Sequence, residues 1–389
     1  MCIYMLVENN NYKYEVNTTE YKYNIVHPKL EIVREKIIKI IFEKLFNICK
    51  KYNSNINEDK VNTYITLFCW KNLTNIDYVI PYRYDNNYDY EQLKNDLQTL
   101  KLDANTILKE LDIENLLKLY IDKFDRFYKK LDTKKKINIK LENNKIIYKQ
   151  KYYVQYTNKI MDKLNKFYDN KYSNDKYALY FCLLYRYKIL DAGNQQLAMD
   201  FNIKEDLKKH FNLNVELFGS CINRYYDNYC SLFYDVEKYF GSLGNFFDVK
   251  PIKGLYFANP PFDEKLMGSM ATKLIKYIAD SESIKEPLGF IITVPVWDAE
   301  MQKKIAKTCN TYYITDEKGY ECKDIIKRSG YLYKEYVFCK NNFPYYSYTQ
   351  DRYIRASNTY IFIIKNKFLN IDLELFEKLL IKNKLFCIK

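Results

Sequence analysis

The most constraining stretch of this chain is residues 254–270, which read GLYFANPPFDEKLMGSM. The apolar residues 255–258 predict a short buried strand, and Asp263 is a typical residue to begin the helix that the following apolar spacing predicts. The residues between them, Asn259 to Phe262, include two prolines, whose φ angles are fixed at about −65°. The stretch therefore predicts a strand, a stiff polar loop and a helix, with the acceptor groups of the loop held in place.

An Asn-Pro-Pro-aromatic loop at the end of a strand suits methyl transfer to a planar, weakly nucleophilic amine. The carboxamide oxygen of Asn259 and the carbonyl oxygen of Pro260 can both accept hydrogen bonds from the exocyclic amine of adenine. Such bonds pull the nitrogen toward sp3 geometry, while Phe262 can stack on the base. The same loop could serve a glutamine side-chain amide, or it could simply end a strand.

Composition favours a polyanionic partner and excludes several kinds of site. The chain carries 62 Lys and Arg residues against 49 Asp and Glu, a net charge of +13, which suits nucleic acid. Ten cysteines without CxxC spacing and two histidines make a zinc site or a histidine-based triad unexpected, so no metal is predicted. No apolar run reaches membrane-spanning length, and the N-terminus lacks the basic segment of a signal peptide. A membrane or secreted location is therefore not expected.

The first part of the chain, residues 1–135, is predicted to be a helical domain. Residues 1–26 are rich in Asn and Tyr and are expected to be irregular or to form short strands. Apolar residues then recur with helical spacing in the segments 30–49, 59–71, 91–101 and 113–131. The charged residues 132–136 interrupt this pattern and mark the predicted boundary.

The remainder, residues 136–389, is predicted to be an α/β domain. It opens with a β-hairpin around Asn143-Asn144 and two helices, 157–168 and 176–190. From Val215 onward strands and helices alternate, which predicts a mainly parallel sheet of Rossmann type. The expected strands are 215–218, 255–258, 288–294, 311–315, 334–339 and 359–364, and the expected helices are 222–233, 263–279 and 373–385.

Three features of this second domain predict ligand contacts. The 215–218 strand runs into Gly219-Ser220, a small-residue turn that lets the backbone approach a ligand closely. Asp235 and Glu237 could bind the ribose hydroxyls of an adenosyl group, or they could form a solvated turn. Trp297, at the C-terminal end of the 288–294 strand, could form the wall of a substrate pocket or fill the core.

Together these segments resemble the phosphorylated-CTD-interacting-factor family of cap-specific adenosine N6-methyltransferases. The motifs that carry the resemblance are LFGSCINRYYDNYCSLFYDVEKYFGSLG (217–244), YFANPPFDEKLM (256–267), GFIITVPVW (289–297) and ASNTYIFIIKN (356–366). The resemblance implies a Rossmann-like class I methyltransferase with an N-terminal α-helical domain and S-adenosylmethionine as methyl donor. The implied substrate is capped mRNA, in which a 7-methylguanosine cap is followed by 2′-O-methyladenosine that is methylated at N6.

The resemblance also assigns roles to residues. The implied catalytic residues are Asn259, Pro260, Pro261 and Phe262. The implied donor-binding residues are Gly219, Ser220, Asn223, Asp235, Glu237, Phe240 and Gly241. Phe262 and Trp297 are the implied contacts to the substrate base, and the helical domain is the expected place for the cap.

One departure from the family concerns recruitment. The cellular family carries a WW module that binds the polymerase tail, and here no paired tryptophans precede Leu30, since the tryptophans are Trp70 and Trp297. We therefore expect a compact, viral-type member that lacks the WW module and does not bind the polymerase tail through one. Its expected location is the cytoplasm, at a site of viral replication, or the nucleus.

Two other functions remain open from the residues alone. An N6-adenine methyltransferase acting on DNA or on internal RNA sites would share the catalytic loop and differ in what presents the base. A catalytically silent relative could still bind caps, although the intact Asn259 and Phe262 argue against it. A glutamine methyltransferase fits the charge of +13 less well than an RNA enzyme does.

Overall fold

The computed structural model of this protein describes residues 2–19, 21–172, 175–191, 196–309 and 321–387. The chain divides into two compact units, Thr19–Gln195 and Cys2–Thr18 with Gln196–Lys389. We call them the helical unit and the sheet unit. Within the described ranges, no helix combines the length and apolar character that crossing a bilayer would need. The predicted strand at 311–315 lies outside the described residues.

The helical unit contains the helices expected at its start, together with a small antiparallel sheet. Its elements are α1 (Pro28–Tyr52), α2 (Glu58–Lys71), α3 (Glu91–Thr99), α4 (Ala104–Leu111), α5 (Ile113–Lys129), β3 (Ile139–Glu142), β4 (Lys145–Tyr148), β5 (Tyr152–Gln155), α6 (Asn158–Phe167) and α7 (Lys176–Ile189). The hairpin of β3 and β4 turns at Asn143 and Asn144, whose φ angles of 49° and 57° are ones that Asn tolerates well. Residues 178–186 of α7 are buried, as the apolar sequence of this helix predicts.

A fully buried ionic network connects α1 to later parts of the helical unit. Arg34 donates to Asp77 Oδ2 at 2.7 and 3.0 Å, to Asp77 Oδ1 at 3.2 Å and to Glu31 Oε1 at 2.7 Å. Arg186, on α7, also binds Glu31 and is completely buried. Removing one partner of such a network leaves an uncompensated buried charge, which typically costs about 3–5 kcal/mol.

The sheet unit contains the alternating strands and helices and also the first residues of the chain. Its elements are β1 (Cys2–Glu8), β2 (Lys13–Thr19), β6 (Leu197–Met199), α8 (Phe201–Phe211), β7 (Val215–Glu216), β8 (Asn228–Tyr229), α9 (Tyr234–Glu237), β9 (Val249–Ala258), α10 (Glu264–Ser283), β10 (Leu288–Pro295), α11 (Ala299–Cys309), α12 (Glu321–Arg328), β11 (Leu332–Phe338), β12 (Tyr345–Ser347), β13 (Arg352–Ile354), β14 (Thr359–Lys365) and α13 (Leu373–Lys382).

The observed division differs from the predicted boundary at residue 135. Strands β4 and β5 pack on α7, and α7 packs on α1, so residues 136–195 belong to the helical unit. Strand β2 pairs with β9, so the first residues belong to the sheet unit and not to the predicted N-terminal domain. The sequence pattern missed both facts because each depends on a partner far away along the chain.

The central sheet of the sheet unit is mixed, where the sequence predicted a mainly parallel one. Its strand order is β1-β2-β9-β10-β14-β11, and β7 pairs with both β8 and β9. Strands β8, β7, β9 and β10 are parallel, whereas β14 runs antiparallel between β10 and β11. The antiparallel pairing of β2 with β9 adds to the mixed character. The fold is therefore α/β with a central mixed sheet.

The two faces of this sheet are covered by helices. Alternate residues of β9 point to opposite faces, with Tyr256 and Ala258 in one hydrophobic cluster and Leu255 and Phe257 in the other. Helix α10 contributes to the first cluster, and helices α8 and α13 contribute to the second. Burial on both faces explains why β10 and the last four residues of β9 are nearly continuous apolar runs.

The predicted helix at 222–233 is wrong, because this segment forms turns and the short strand β8. Buried side chains satisfy its backbone groups in place of helical hydrogen bonds. The Tyr225 N–H donates to Glu216 Oε2 at 3.2 Å, and the Arg224 guanidinium donates to the carbonyl oxygen of Asp227 at 2.6 Å. The apolar spacing of the segment could not reveal these competing acceptors and donors.

Candidate active site

The Asn259–Phe262 loop begins where β9 ends and stops where α10 begins. Ala258 pairs in parallel register with Ile292 of β10, so the loop starts at the carboxyl edge of two parallel strands. At the other end, the Leu266 N–H donates to Asp263 Oδ1 at 2.9 Å, which caps the helix as predicted. Open α/β sheets bind ligands at this edge, and the loop is held at both ends.

Asn259 carries the most informative atom of the loop. Its Oδ1 is buried and has no hydrogen-bond partner among the residues that the structure describes. A buried acceptor without a partner typically costs about 1–3 kcal/mol, so folds rarely keep one without a use. The sequence predicts that this oxygen accepts a hydrogen bond from a ligand, and no described residue occupies it.

An aromatic cluster surrounds the last residue of the loop. The half-buried Phe262 lies edge-on to Trp297, with ring centroids 6.5 Å apart, and edge-on to Tyr345, at 5.9 Å. Trp297 is half-buried as well and packs against the core, which is one of the two positions that the sequence left open. The structure brings the two predicted base contacts together, and it adds a third ring.

Tyr345 is the member of this cluster that sequence reasoning missed. It lies on β12, outside every motif of the sequence, and β12 pairs with β6. Its hydroxyl shares a hydrogen bond with Thr359 Oγ1 at 2.9 Å. The sequence around Tyr345 is rich in tyrosine, which carries no information about the packing of this ring on Phe262.

A charged residue next to Trp297 anchors the following helix. Asp298 Oδ2 accepts from the Tyr360 hydroxyl at 2.5 Å, and Asp298 Oδ1 lies 2.9 Å from Lys323 Nζ. Burial alone would raise the pKa of the Asp298 carboxyl, but the hydrogen bonds from Tyr360 and Lys323 lower it below its usual value. Asp298 is therefore a fixed anion that holds the backbone beside Trp297.

The predicted donor turn leaves the strand next to β9. Glu216 of β7 pairs with Phe257 of β9, and the Leu217 N–H donates to the Phe257 carbonyl at 2.8 Å. The turn at Gly219 and Ser220 and the loop at Asn259 therefore leave neighbouring parallel strands at the same edge of the sheet. This arrangement can bring a methyl donor and its acceptor together.

Hydrogen bonds define the shape of this turn. The Ser220 N–H donates to Asn223 Oδ1 at 2.8 Å, and the Asn223 N–H donates back to Ser220 Oγ at 3.1 Å. Ser220 Oγ also donates to Gln196 Oε1 at 2.6 Å. Gln196 directly precedes β6, the strand that pairs with β12 at Tyr345. The donor turn and the aromatic cluster are thus joined through one small sheet.

The acidic pair of the predicted donor site is buried. Glu237 is fully buried, and its Oε2 accepts from the Cys221 N–H at 2.7 Å and from the Tyr229 hydroxyl at 2.8 Å. Asp235 is 1% exposed. The sequence predicted ribose contacts or a solvated turn, whereas Glu237 holds the donor turn in place from inside.

The two remaining predicted donor residues follow α9. Phe240 is buried, and Gly241 is exposed with a φ of +89°. A Cβ at Gly241 would lie 3.0 Å from the Asp227 carbonyl oxygen, so this position requires glycine. Behind it, Tyr229 and Ser242 form a parallel bridge that ties this segment to β8.

Comparisons with known proteins cover part of the chain. Residues 157–329 match a family model described as the phosphorylated CTD interacting factor 1 WW domain. Two curated relatives are named mRNA (2'-O-methyladenosine-N(6)-)-methyltransferase. The one from Mus musculus is 38% identical over 122 residues, which are 30% of this chain and 17% of the relative. The one from Homo sapiens is 37% identical over 122 residues, with the same shares of each chain.

The family match corrects the prediction about the WW module and agrees with the predicted family. The expected viral-type member without the WW module is wrong by this comparison, because the matching model is itself described as the WW domain of that family. The match lies at residues 157–329, and not before Leu30, where the paired tryptophans were sought. These residues contain the Gly219-Ser220 turn, the Asn259–Phe262 loop and Trp297. Over this range the chain is therefore similar to the phosphorylated CTD interacting factor 1 family.

Proposed function

We propose that this chain is an S-adenosylmethionine-dependent methyltransferase that modifies the N6 atom of the 2′-O-methyladenosine next to an mRNA cap. The observation that carries the proposal is the buried Asn259 Oδ1, which has no partner among the described residues and lies at the end of β9. The names of the two partial relatives support the choice of substrate.

The strand order supports a Rossmann-like class I methyltransferase fold for the sheet unit. In the order β8-β7-β9-β10-β14-β11, the first four strands are parallel and β14 is the antiparallel one. The donor would be held at the Gly219-Ser220 turn, and it would supply an electrophilic methyl group. The turn fits this role because Gly219 is half-buried at the carboxyl edge of β7, beside the strand that carries Asn259.

The residues of the loop then act on the adenine amine. Asn259 Oδ1 and the Pro260 carbonyl oxygen accept hydrogen bonds from its two N–H groups, and these bonds localise the nitrogen lone pair. Phe262 holds the base by stacking, and Trp297 and Tyr345 fix the position of the Phe262 ring. The amine nitrogen would form its bond to the methyl carbon as the bond from that carbon to the donor sulfur breaks. The amine would then lose a proton to water, so the loop requires no strong base.

An intracellular location, cytoplasmic or nuclear, is part of this proposal. The described cysteines that form no disulfide include buried thiols at Cys49, Cys69, Cys182, Cys221, Cys230, Cys322 and Cys339. Buried free thiols are usual in reducing compartments. Fractionation of cells that express the tagged protein tests this location, and recovery from the medium would contradict it.

The test of the proposed function is mass analysis of the cap-adjacent nucleotide after incubation with donor and RNA. The RNA begins with a 7-methylguanosine cap and 2′-O-methyladenosine, and the parallel substrates are the same RNA without a cap, DNA and a glutamine-containing peptide. We expect N6-methylation of the capped RNA alone and none with the Asn259→Ala variant. Preferred methylation of uncapped RNA or DNA would show that capped RNA is not the substrate. Cap binding without any methyl transfer would indicate a catalytically silent relative.

A further inference from the structure

The helical unit contains a basic groove that the proposed catalytic step does not use. Its volume is about 680 Å³, and it lies between the start of α1, the strands β3 and β4 and the turn that follows β4. The lining residues that the structure describes include five lysines, Lys29, Lys135, Lys136, Lys140 and Lys149, against the one carboxylate of Glu142.

Most of this positive charge is uncompensated. Lys140 Nζ lies 2.7 Å from Glu142 Oε2, so these two charges neutralise each other. The other four lysines form no ion pair with the described residues, and Lys135, Lys136 and Lys149 are exposed. A concave surface that gathers several cations of one sign concentrates its potential on an anion inside it.

The start of α1 adds to the same potential. This 25-residue helix begins at Pro28, and its cap residue, His27, lines the groove. The amino end of a helix carries a partial positive charge. Burial, and then the charges of Lys29 and Lys149, lower the pKa of His27 to about 4. The imidazole thus responds to the positive field of the groove and stays neutral near pH 7.

Lys149 lies in the turn that closes one side of the groove. Lys149 and Gln150 turn the chain after β4 with φ angles of 52° and 56°, a region that residues other than Gly, Asn and Asp rarely adopt. The preceding hairpin uses Asn143 and Asn144 in the same conformation. Local preference therefore favours Asn or Gly at position 149, although Lys101, Lys285 and Lys384 adopt the same conformation outside the groove.

We propose that this groove binds the phosphate backbone of the RNA substrate without reading its sequence. Lysines act as point charges toward phosphates, and contacts to phosphates carry no base information. The two aromatic rings in the described lining, those of His27 and Tyr148, are 3% and 4% exposed and cannot serve as platforms for bases. The inference rests on the proposed function only in taking RNA as the polyanion.

The main test compares two triple variants of the full chain that lose the same charge. The first carries Lys135→Gln, Lys136→Gln and Lys149→Gln. The matched control carries Lys60→Gln, Lys118→Gln and Lys130→Gln, all exposed positions of the same unit outside the groove. Fluorescence anisotropy measures the binding of a short, uncapped, 5′-hydroxyl RNA of mixed sequence, with no methyl donor present.

We expect the groove variant to bind about tenfold more weakly at moderate salt, and its slope of log affinity against log salt to fall by about 2. The control should stay within about twofold of the unmodified protein. Equal losses in both variants, or full affinity in the groove variant, would overturn the proposal. Because no methyl transfer is measured, the groove and the proposed catalytic function can fail independently.

Two further measurements identify the ligand and separate binding from folding. Inorganic triphosphate and a cap analogue, at the same phosphate concentration as the RNA, should compete poorly. Effective competition by either would identify a polyphosphate group, and not the RNA backbone, as the ligand of the groove. The Lys149→Gly variant should lose RNA affinity and keep or raise its melting temperature, because glycine relieves the turn. Unchanged RNA affinity in that variant would count against a role for Lys149 in this groove.

Discussion

The ring of Phe262 lies edge-on to the ring of Tyr345, with centroids 5.9 Å apart and ring planes at 79°. Tyr345 is 1% exposed, and the hydrogen bond between its hydroxyl and Thr359 Oγ1 fixes its orientation. Burial raises the pKa of the Tyr345 hydroxyl, so this group stays protonated. The ring that is proposed to hold the adenine is therefore supported from behind by a rigid neighbour.

Replacing Tyr345 should impair the binding of RNA more than the binding of the donor. An edge-on aromatic pair contributes about 0.5–1.5 kcal/mol, so Tyr345→Ala should raise KM for capped RNA by up to about tenfold. The affinity for S-adenosylmethionine should change by less than about twofold. Tyr345→Phe keeps the ring and is the matched control. Steady-state kinetics with each substrate, and calorimetry for the donor, provide the readouts; an equal loss for both ligands would indicate a general structural defect.

The Asn259→Ala variant should lose methyl transfer and keep its stability. Its Oδ1 makes no hydrogen bond to the described residues, so removing it breaks no internal interaction and relieves a buried acceptor. The free energy of unfolding should stay constant or rise, and the donor affinity should stay within a few-fold. Chemical denaturation and a labelled-methyl assay measure the two quantities. A variant that loses activity and stability together would show that Asn259 serves the fold.

The Glu237→Ala variant should loosen the donor turn. It leaves the Cys221 N–H and the Tyr229 hydroxyl without their shared acceptor, and each buried donor costs about 1–3 kcal/mol. We expect a loss of stability of about 2–4 kcal/mol and weaker binding of S-adenosylmethionine. Glu237→Gln keeps one acceptor oxygen and should be milder.

A double-mutant cycle with Tyr229→Phe isolates the second of these bonds. The two substitutions should be less than additive, because both remove the same interaction. Donor affinity is measured by calorimetry in all four proteins. Wild-type affinity in Glu237→Ala would mean that the turn keeps its shape without this carboxylate.

Stability should fall on acidification through the titration of His27. Its pKa is lowered to about 4 in the folded protein, first by burial and then by Lys29 and Lys149, while Glu31 acts in the opposite direction. The unfolded chain has the ordinary value of about 6.5, so it binds the proton more readily. The contribution of neutral His27 to the free energy of unfolding is complete above about pH 6.5, and it is lost progressively as the pH falls to about 4.

The difference between the wild-type protein and His27→Asn isolates this effect, since asparagine also caps helices and does not titrate. In the wild type, the neutral Nδ1 accepts from the Lys29 N–H at 3.1 Å. Chemical denaturation gives the free energy of unfolding of both proteins. The difference between the two values should change in favour of the variant as the pH falls from about 6.5 to 4. A difference that is independent of pH would contradict the lowered pKa.

The sequence predicted the parts of the fold that depend on local pattern. The strand, loop and helix around Asn259 form as the proline pair and the Asp263 cap predict, and the hairpin turns at Asn143 and Asn144. In each case the residues that determine the conformation lie within a few positions of one another. These are also the elements that place the candidate catalytic residues.

The parts that sequence reasoning missed depend on distant or buried partners. The segment after Ser220 avoids a helix because Glu216 and Glu237 accept its N–H groups from inside the protein. Tyr345 contacts Phe262 although the two residues lie far apart along the chain. A hydrophobic pattern records which residues are apolar, and it does not record which buried carboxylate or ring will lie opposite.

Strand β2 has a consequence for how the protein is made. It pairs with β9, from Lys13 opposite Lys253 to Val16 opposite Val249, and the Tyr12 hydroxyl donates to the Leu255 carbonyl oxygen at 2.9 Å. At roughly 5–20 residues per second, a ribosome delivers β9 some tens of seconds after β2. During that interval β2 leaves the exit tunnel without its partner strand, and the helical unit can fold first. The opening residues of this chain can therefore join the sheet that carries Asn259 only after β9 has been made.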